Sequence, residues 1–319
     1  MSAELISQAE QLFAEGQAPQ AMAMLGEAAR ANDPDALNYL ADITVKGKIV
    51  HRDLPLARDL YRRAAAAGSE MAAAAYRAFV ANGTGGPANW NEAMALLRRA
   101  AEAGGQAARE WSIIQSMSLR EDGRPASTPE GQEISRSPDA WAFKGIFSDA
   151  ECDFLVDAAR PRFAPSTVVD PKTGELVSNP VRTSEAASFG RIAESPAIHA
   201  LCLRLAAASA TDVRQGEPLQ VLRYSPGQEY RPHFDAIEGA ANQRTITFLV
   251  YLNDDYAGGA TRFEASGLEF RGAKGDGLMF RNALATGEPD LRSQHSGMPV
   301  TEGEKLVASR WIRERALDL

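Results

Sequence analysis

The chain is 319 residues long, 45% hydrophobic and 24% charged, with a formal net charge of −8, ordinary values for a globular protein with room for two cores. That acidic balance argues against a nucleic-acid partner, whose phosphates call for clustered Lys and Arg, and no stretch approaches the roughly eighteen uninterrupted apolar residues of a membrane helix. The opening MSAELISQAEQ has no basic segment followed by an apolar run, and the two cysteines, Cys152 and Cys202, fall in helix-like apolar patterns, so a cytoplasmic chain with buried reduced thiols is expected.

The first third repeats itself. Ala21, Ala57 and Ala93 recur at a 36-residue spacing, and the sets Leu25/Tyr61/Leu97 and Ala36/Ala72/Ala108 keep the same period. Gly47 and Gly83 correspond as well. Alanines at helical spacing with glycines at turns predict stacked helix pairs over residues 1–118. Small alanines let paired helices approach, while Leu, Tyr and Phe fill the space between them. Arg62-Arg63 and Arg98-Arg99 fall at equivalent positions and read as solvated faces. The pattern of Ala, Tyr or Leu four residues on, and then an Ala-Ala pair resembles Sel1-like repeats, relatives of tetratricopeptide repeats. That resemblance implies an interaction scaffold.

Residues 119–138 are rich in Pro, Gly, Ser and charge and read as a linker, which leaves 139–319 as a second domain. Ser148-Asp-Ala-Glu151 is a capping box opening a helix with Cys152, Leu155, Val156 and Ala159 on its apolar face. Val168-Val169 and Leu176-Val177 flank the turn residues Asp170-Pro171-Lys172-Thr173-Gly174, a predicted hairpin. A helix near Ala197 to Ala208 follows. Short apolar runs then begin at Leu219, Arg231, Thr245, Thr261, Gly277, Gln294 and Lys305, separated by turn residues, a pattern that favours a double-sheet jelly roll. The expected fold class is α+β multidomain: an all-α helix-pair solenoid, then a double-stranded β-helix (jelly roll) with flanking helices.

Two of those runs carry the chemistry. His233-Phe234-Asp235 lies in one, His295 follows in another, and Lys305 comes ten residues later. A histidine and an aspartate two apart on a strand point to one side, and the distal histidine would come from a strand folded alongside. Two imidazoles and a carboxylate can hold octahedral Fe(II) on one face and leave three positions open. Zn(II) accepts the same donors with an open site. Lys305 would supply a fixed cation for the far carboxylate of an organic-acid co-substrate. His51 and His199 carry no ligand spacing and read as structural or surface residues.

Residues from about Ala140 to Glu314 resemble the prolyl 4-hydroxylase branch of the Fe(II)/2-oxoglutarate dioxygenases. The matching runs include Phe147 to Asp153, Arg182-Thr-Ser184, Leu219 to Tyr224, Gly227 to Tyr230, His233-Phe-Asp235, Arg244 to Thr247, Gly258 to Phe263, His295 to Val300 and Gly303-Glu-Lys305. The resemblance implies that His233, Asp235 and His295 bind iron. It also implies that Lys305 pairs with the C5 carboxylate of 2-oxoglutarate, Tyr224 and Thr261 donate hydroxyl hydrogen bonds nearby, and Trp311 lies beside that pocket. Tyr230, Arg244 and Arg182 would face a peptidyl substrate, with the hairpin near Lys172 as a mobile lid. Dioxygen would be the second co-substrate and ascorbate a reductant. One departure is Arg313, where the family often has His. The implied activity is hydroxylation of proline in a peptide or protein, with release of succinate and CO2 and with the repeats recruiting the substrate. Two other readings stay open: hydroxylation of a free amino acid or small metabolite, and a non-catalytic solenoid adaptor whose jelly roll binds a metal or ligand.

Overall fold

The computed structural model describes residues 2–169, 176–178 and 181–317. The chain divides into two units, Met1–Trp111 with Arg191–His199, and Ser112–Gly190 with Ala200–Leu319.

The first unit is helical, with α1 (Ser2–Ala14), α2 (Ala18–Arg30), α3 (Pro34–Lys46), α4 (Leu54–Ala66), α5 (Glu70–Asn82), α6 (Trp90–Ala101) and most of α7 (Gly105–Ser116). Polar side chains start these helices by accepting otherwise orphaned backbone N–H groups: Asp33 from Ala36, Asp53 from Leu56, Ser69 from Ala72 and Asn89 from Glu92. Gly47 and Gly83 end α3 and α5 in the left-handed conformation, which an L side chain adopts only with strain. The repeat predicts the packing: Ala21, Ala57, Ala93, Leu25, Tyr61 and Leu97 are all fully buried. Tyr61 meets Phe79 edge to face and donates its hydroxyl to Asp42 at 2.5 Å. Ala108, on the last helix, is only half-buried.

Residues 191–199, inside the span expected to be the second domain, group with the helical unit. The Arg191 carbonyl accepts from Asn82 Nδ2 at 3.2 Å, and Glu110 Oε1 accepts from the Ala197 N–H at 3.0 Å. His199 is structural, as expected, with Nδ1 2.6 Å from Glu194 Oε1.

The second unit holds α8 (Asp149–Ala159), most of α9 (Pro196–Ala208) and all the strands. In chain order these are β1 (Gln132–Arg136), β2 (Asp139–Phe143), β3 (Ala164–Pro165), β4 (Thr167–Val169), β5 (Leu176–Ser178), β6 (Glu185–Phe189), β7 (Leu219–Tyr224), β8 (Tyr230–His233), β9 (Arg244–Tyr251), β10 (Ala257–Gly258), β11 (Thr261–Phe263), β12 (Glu269–Phe270), β13 (Gly277–Arg281), β14 (His295–Gly297), β15 (Val300–Glu302) and β16 (Lys305–Arg313). An eight-stranded sheet of order β1-β2-β13-β9-β16-β7-β6-β3 and a four-stranded sheet of order β12-β11-β14-β8 make the jelly roll. Phe263 of the smaller sheet packs edge to face on Phe280 of the larger, with ring centroids 5.0 Å apart. The predicted capping box is formed at Ser148 and Glu151, and the Glu151 carboxylate also takes a bidentate pair from Arg204 at 2.6 and 2.7 Å. Cys152 and Cys202 are buried free thiols.

Two expectations need amendment. Strand β1 falls inside the segment read as a linker (119–138) and pairs with β2. Its exposed, polar Gln-Glu-Ile-Ser-Arg sequence at a sheet edge carries no apolar alternation to announce it. Strands β4 and β5 form the expected hairpin, but its turn, including Asp170, Pro171, Lys172, Thr173 and Gly174, lies outside the described residues.

Candidate active site

The two histidines meet because of strand register. Strands β8 and β14 pair antiparallel with His233 directly opposite His295, and their ring centroids are 4.3 Å apart. Asp235 arrives by another route than the one expected. Strand β8 stops at His233, and Asp235 sits in the bend beyond it, so strand alternation does not aim its side chain. Its aim comes instead from β9, where the Thr247 hydroxyl donates to Asp235 Oδ2 at 2.6 Å. Thr247 Oγ1 in turn accepts from Asn282 Nδ2 at 2.8 Å. Oδ1 lies 3.6 Å from His233 Nε2 and Oδ2 lies 3.5 Å from His295 Nε2. One ligand atom from each of the three residues lies within 4.8 Å of the others.

Backbone carbonyls fix both rings. His233 Nδ1 is 2.8 Å from Arg231 O, and His295 Nδ1 is 2.9 Å from Ser293 O. A carbonyl only accepts, so each Nδ1 carries a hydrogen and each Nε2 is the ring atom that faces Asp235. Burial lowers the pKa of His295 to about 4, helped by the neighbouring His233 and opposed by Asp235. Burial alone would raise the pKa of Asp235, but His295, His233 and the Thr247 hydroxyl hold its carboxyl well below the usual range. Two imidazole nitrogens and one ionised carboxylate converge, a donor set that fits Fe(II) with open positions.

A pocket partly open to solvent extends from these three residues between the two sheets. The β16 residues Lys305, Val307, Ser309 and Trp311 line it, as alternation along a strand requires. Tyr224, Thr261 and Tyr230, all expected at the site, line it as well, and so do Leu222, Leu249 and Gly297, which the sequence did not single out. Lys305 is 4% exposed. Its Nζ donates to Gly259 O at 2.7 Å and lies 5.5 and 5.3 Å from the ring centres of Tyr224 and Tyr251, with no carboxylate paired to it among the described residues. Burial, and secondarily Arg271, push its pKa down to about 7. Gly259 makes this approach possible, since a Cβ there would lie 3.0 Å from the Tyr256 ring and 3.1 Å from Lys305 Cδ. Thr261 Oγ1 is 2.9 Å from the hydroxyl of Tyr251, a buried partner that the sequence did not reveal.

Aromatic rings form the remaining walls. Tyr230 stacks on His233 with centroids 3.4 Å apart. Arg182, 6% exposed, lies 5.3 Å from the Tyr230 ring centre. Arg244 lies 3.8 Å from the Trp311 ring centre. Both arginines therefore stand behind lining rings rather than among the lining residues. The Trp311 Nε1–H is buried without a hydrogen-bond partner among the described residues.

A jelly roll with a convergent His/Asp/His set and a buried lysine in the same cavity defines the class of protein. Residues 219–313 match the 2OG-Fe(II) oxygenase superfamily. Prolyl 4-hydroxylase 1 of Arabidopsis thaliana is 38% identical over 202 residues, covering 57% of this chain and 71% of the relative. The rat prolyl 4-hydroxylase subunit alpha-1 is 36% identical over 182 residues, 54% of this chain, and the chain spans only 34% of that longer protein. A viral collagen prolyl hydroxylase from Paramecium bursaria Chlorella virus-1, solved as a 2OG complex, is 29% identical, with 55% of this chain and 95% of that one covered at a TM-score of 0.44. The chain belongs to the 2OG-Fe(II) oxygenase superfamily and resembles its prolyl 4-hydroxylases. It is a dioxygenase that uses Fe(II), 2-oxoglutarate and O2, which sets aside the adaptor reading.

Proposed function

We propose that this chain hydroxylates a prolyl residue within a peptide or protein, converting 2-oxoglutarate to succinate and CO2. His233, Asp235 and His295 hold Fe(II), and Lys305 holds the far carboxylate of 2-oxoglutarate. The observation that carries this reading is a buried lysine amine, with no carboxylate paired to it among the described residues, sharing one pocket with three convergent ligand atoms. When bound, Fe(II) supplies dioxygen activation, driven by decarboxylation of the keto acid.

The protein's own groups do the rest. The Lys305 charge sits desolvated among aromatic rings, and a dicarboxylate end restores its missing counter-charge; an unpaired charge in such a place costs several kcal/mol. The Tyr224 and Thr261 hydroxyls give the same end polar partners. Tyr230 and Trp311 offer flat apolar walls that suit a pyrrolidine ring and keep water from the reacting carbon. The names of the relatives support proline as the target. Residues 1–118 act as a solenoid that recruits the substrate protein and 139–319 as the oxygenase domain. A cytoplasmic location accords with the absence, among the described residues, of any helix long and apolar enough to cross a membrane.

Succinate release in the presence of Fe(II) and 2-oxoglutarate tests the reading. Proline-containing peptides should stimulate it and gain one oxygen on proline. Stimulation by free proline but by no peptide would contradict it.

A further inference from the structure

Strand β16 carries its cavity row from buried Lys305 through Val307, Ser309 and Trp311, and the next residue at that period is Arg313. Burial relaxes at this end, where the Arg313 side chain is 17% exposed and that of Arg244 is 19% exposed. The two arginines are direct cross-strand partners, an arrangement that repels unless something answers it. A single carboxylate answers both. Glu217 accepts from Arg244 Nε and Nη2 at 2.7 and 2.9 Å and from Arg313 Nε at 2.6 Å. A third guanidinium, Arg310, also reaches Glu217, but only through its backbone oxygen, and its other partners are the carbonyls of Cys202 and Val213. Glu314, next along the chain, is paired elsewhere, with Arg315 at 3.8 Å.

The cluster therefore sets three permanent cations against one anion, and arginine does not shed the excess by losing a proton. In a chain of net charge −8 this local surplus is not background. Arg313 Nη1 is taken up by Asn242 O at 2.8 Å, while Arg244 Nη1 and Arg313 Nη2 donate to no described residue. Two guanidinium donors with no described partner, one of them on an arginine stacked on the cavity-lining ring of Trp311, make a carboxylate receptor next to the cavity wall.

We infer that the outer end of this cavity reads a carboxylate on the substrate: the accepted prolyl segment carries an acidic side chain, or the chain's own C-terminal carboxylate, within a few residues of the hydroxylated carbon. This rests on the proposed prolyl hydroxylation and names the substrate class for it. Arg313 is the specificity-determining residue.

The test uses the full-length protein with Fe(II), 2-oxoglutarate and capped proline peptides that differ only in flanking Glu, Gln or Lys. A fourth peptide has Gln flanks and a free C-terminal carboxylate. Product is read as prolyl residues heavier by one oxygen. The Glu peptide should exceed the Gln peptide in kcat/KM by about tenfold or more, in line with a charge-assisted hydrogen bond, and Gln should exceed Lys. If the free-acid peptide shows the gain and the Glu peptide does not, the carboxylate read is the chain terminus. Arg313→Gln should bring the Glu-to-Gln ratio close to one, and Arg313→Lys should keep most of it. Damage to the fold would lower both peptides together and leave the ratio alone. Equal turnover of charged and neutral peptides by the wild type overturns the inference, and a ratio unchanged in Arg313→Gln overturns the role of Arg313. Turnover of 2-oxoglutarate without oxygen on any proline would instead overturn the proposed function, and the inference with it.

Discussion

His295 Nε2 can serve a metal only while it carries a free lone pair; deep burial disfavours the protonated ring, and the Ser293 carbonyl holds the neutral ring's hydrogen on Nδ1. The Asp235 carboxylate sits between the two imidazoles and is oriented by Thr247, so its loss removes a ligand and breaks a buried network together. Asp235→Ala and His233→Ala are each expected to cut succinate formation by at least about a hundredfold, since ligand loss does more harm than loss of an outer partner. Far-ultraviolet circular dichroism should stay unchanged, and turnover kept by both variants would contradict the iron assignment. Lys305 makes a second prediction. Its pKa falls from near 10.5 to about 7 on burial, and a bound carboxylate would raise it again. Affinity for 2-oxoglutarate is then greatest below pH 7 and declines as the pH rises above it, with a proton taken up on binding. Calorimetry at pH 8 in two buffers of different ionisation heat should register that proton. An uptake of zero, or affinity rising from pH 7 to 9, would remove Lys305 from its role.

At the scale of the element, turns and registers turn out to matter as much as ligands. In the sequence Gly258 and Gly259 stand out only within the family-like run Gly258 to Phe263, yet Gly259 also gives Lys305 the carbonyl and the space it uses. Gly259→Ala should raise the KM for 2-oxoglutarate several-fold and leave Fe(II) affinity nearly unchanged, because the added methyl meets Lys305 and Tyr256 rather than the ligands. Equal losses in both would point to collapse of the cavity. The His/Asp/His set and Lys305 could be read from the sequence because each lies near a short apolar run. Thr247, Asn282 and Glu217 could not be. Their partners are 12, 35, 27 and 96 residues away, and no local pattern encodes a contact at such range. Strand β1 stayed hidden for the opposite reason, as a polar edge has no buried face to impose alternation.

For the whole molecule, the 36-residue period predicted a solenoid and the strand spacing a jelly roll, because both patterns are imprints of buried faces. Residues 191–199 escaped that reading: they join the helical unit through contacts distant in sequence, such as Glu110 with the Ala197 N–H and Ile192 against the helical core, which leave no periodic trace. What the assembled protein acts on is open to direct measurement. Cell extract would be incubated with Fe(II), 2-oxoglutarate and either the full-length protein or its His233→Ala variant, and peptides heavier by one oxygen would be sought by mass spectrometry. The account predicts a small set of prolyl residues oxygenated only by the active protein, each with a carboxylate close by. Identical oxygenated sets from both proteins, or oxygen added only to residues other than proline, would contradict it.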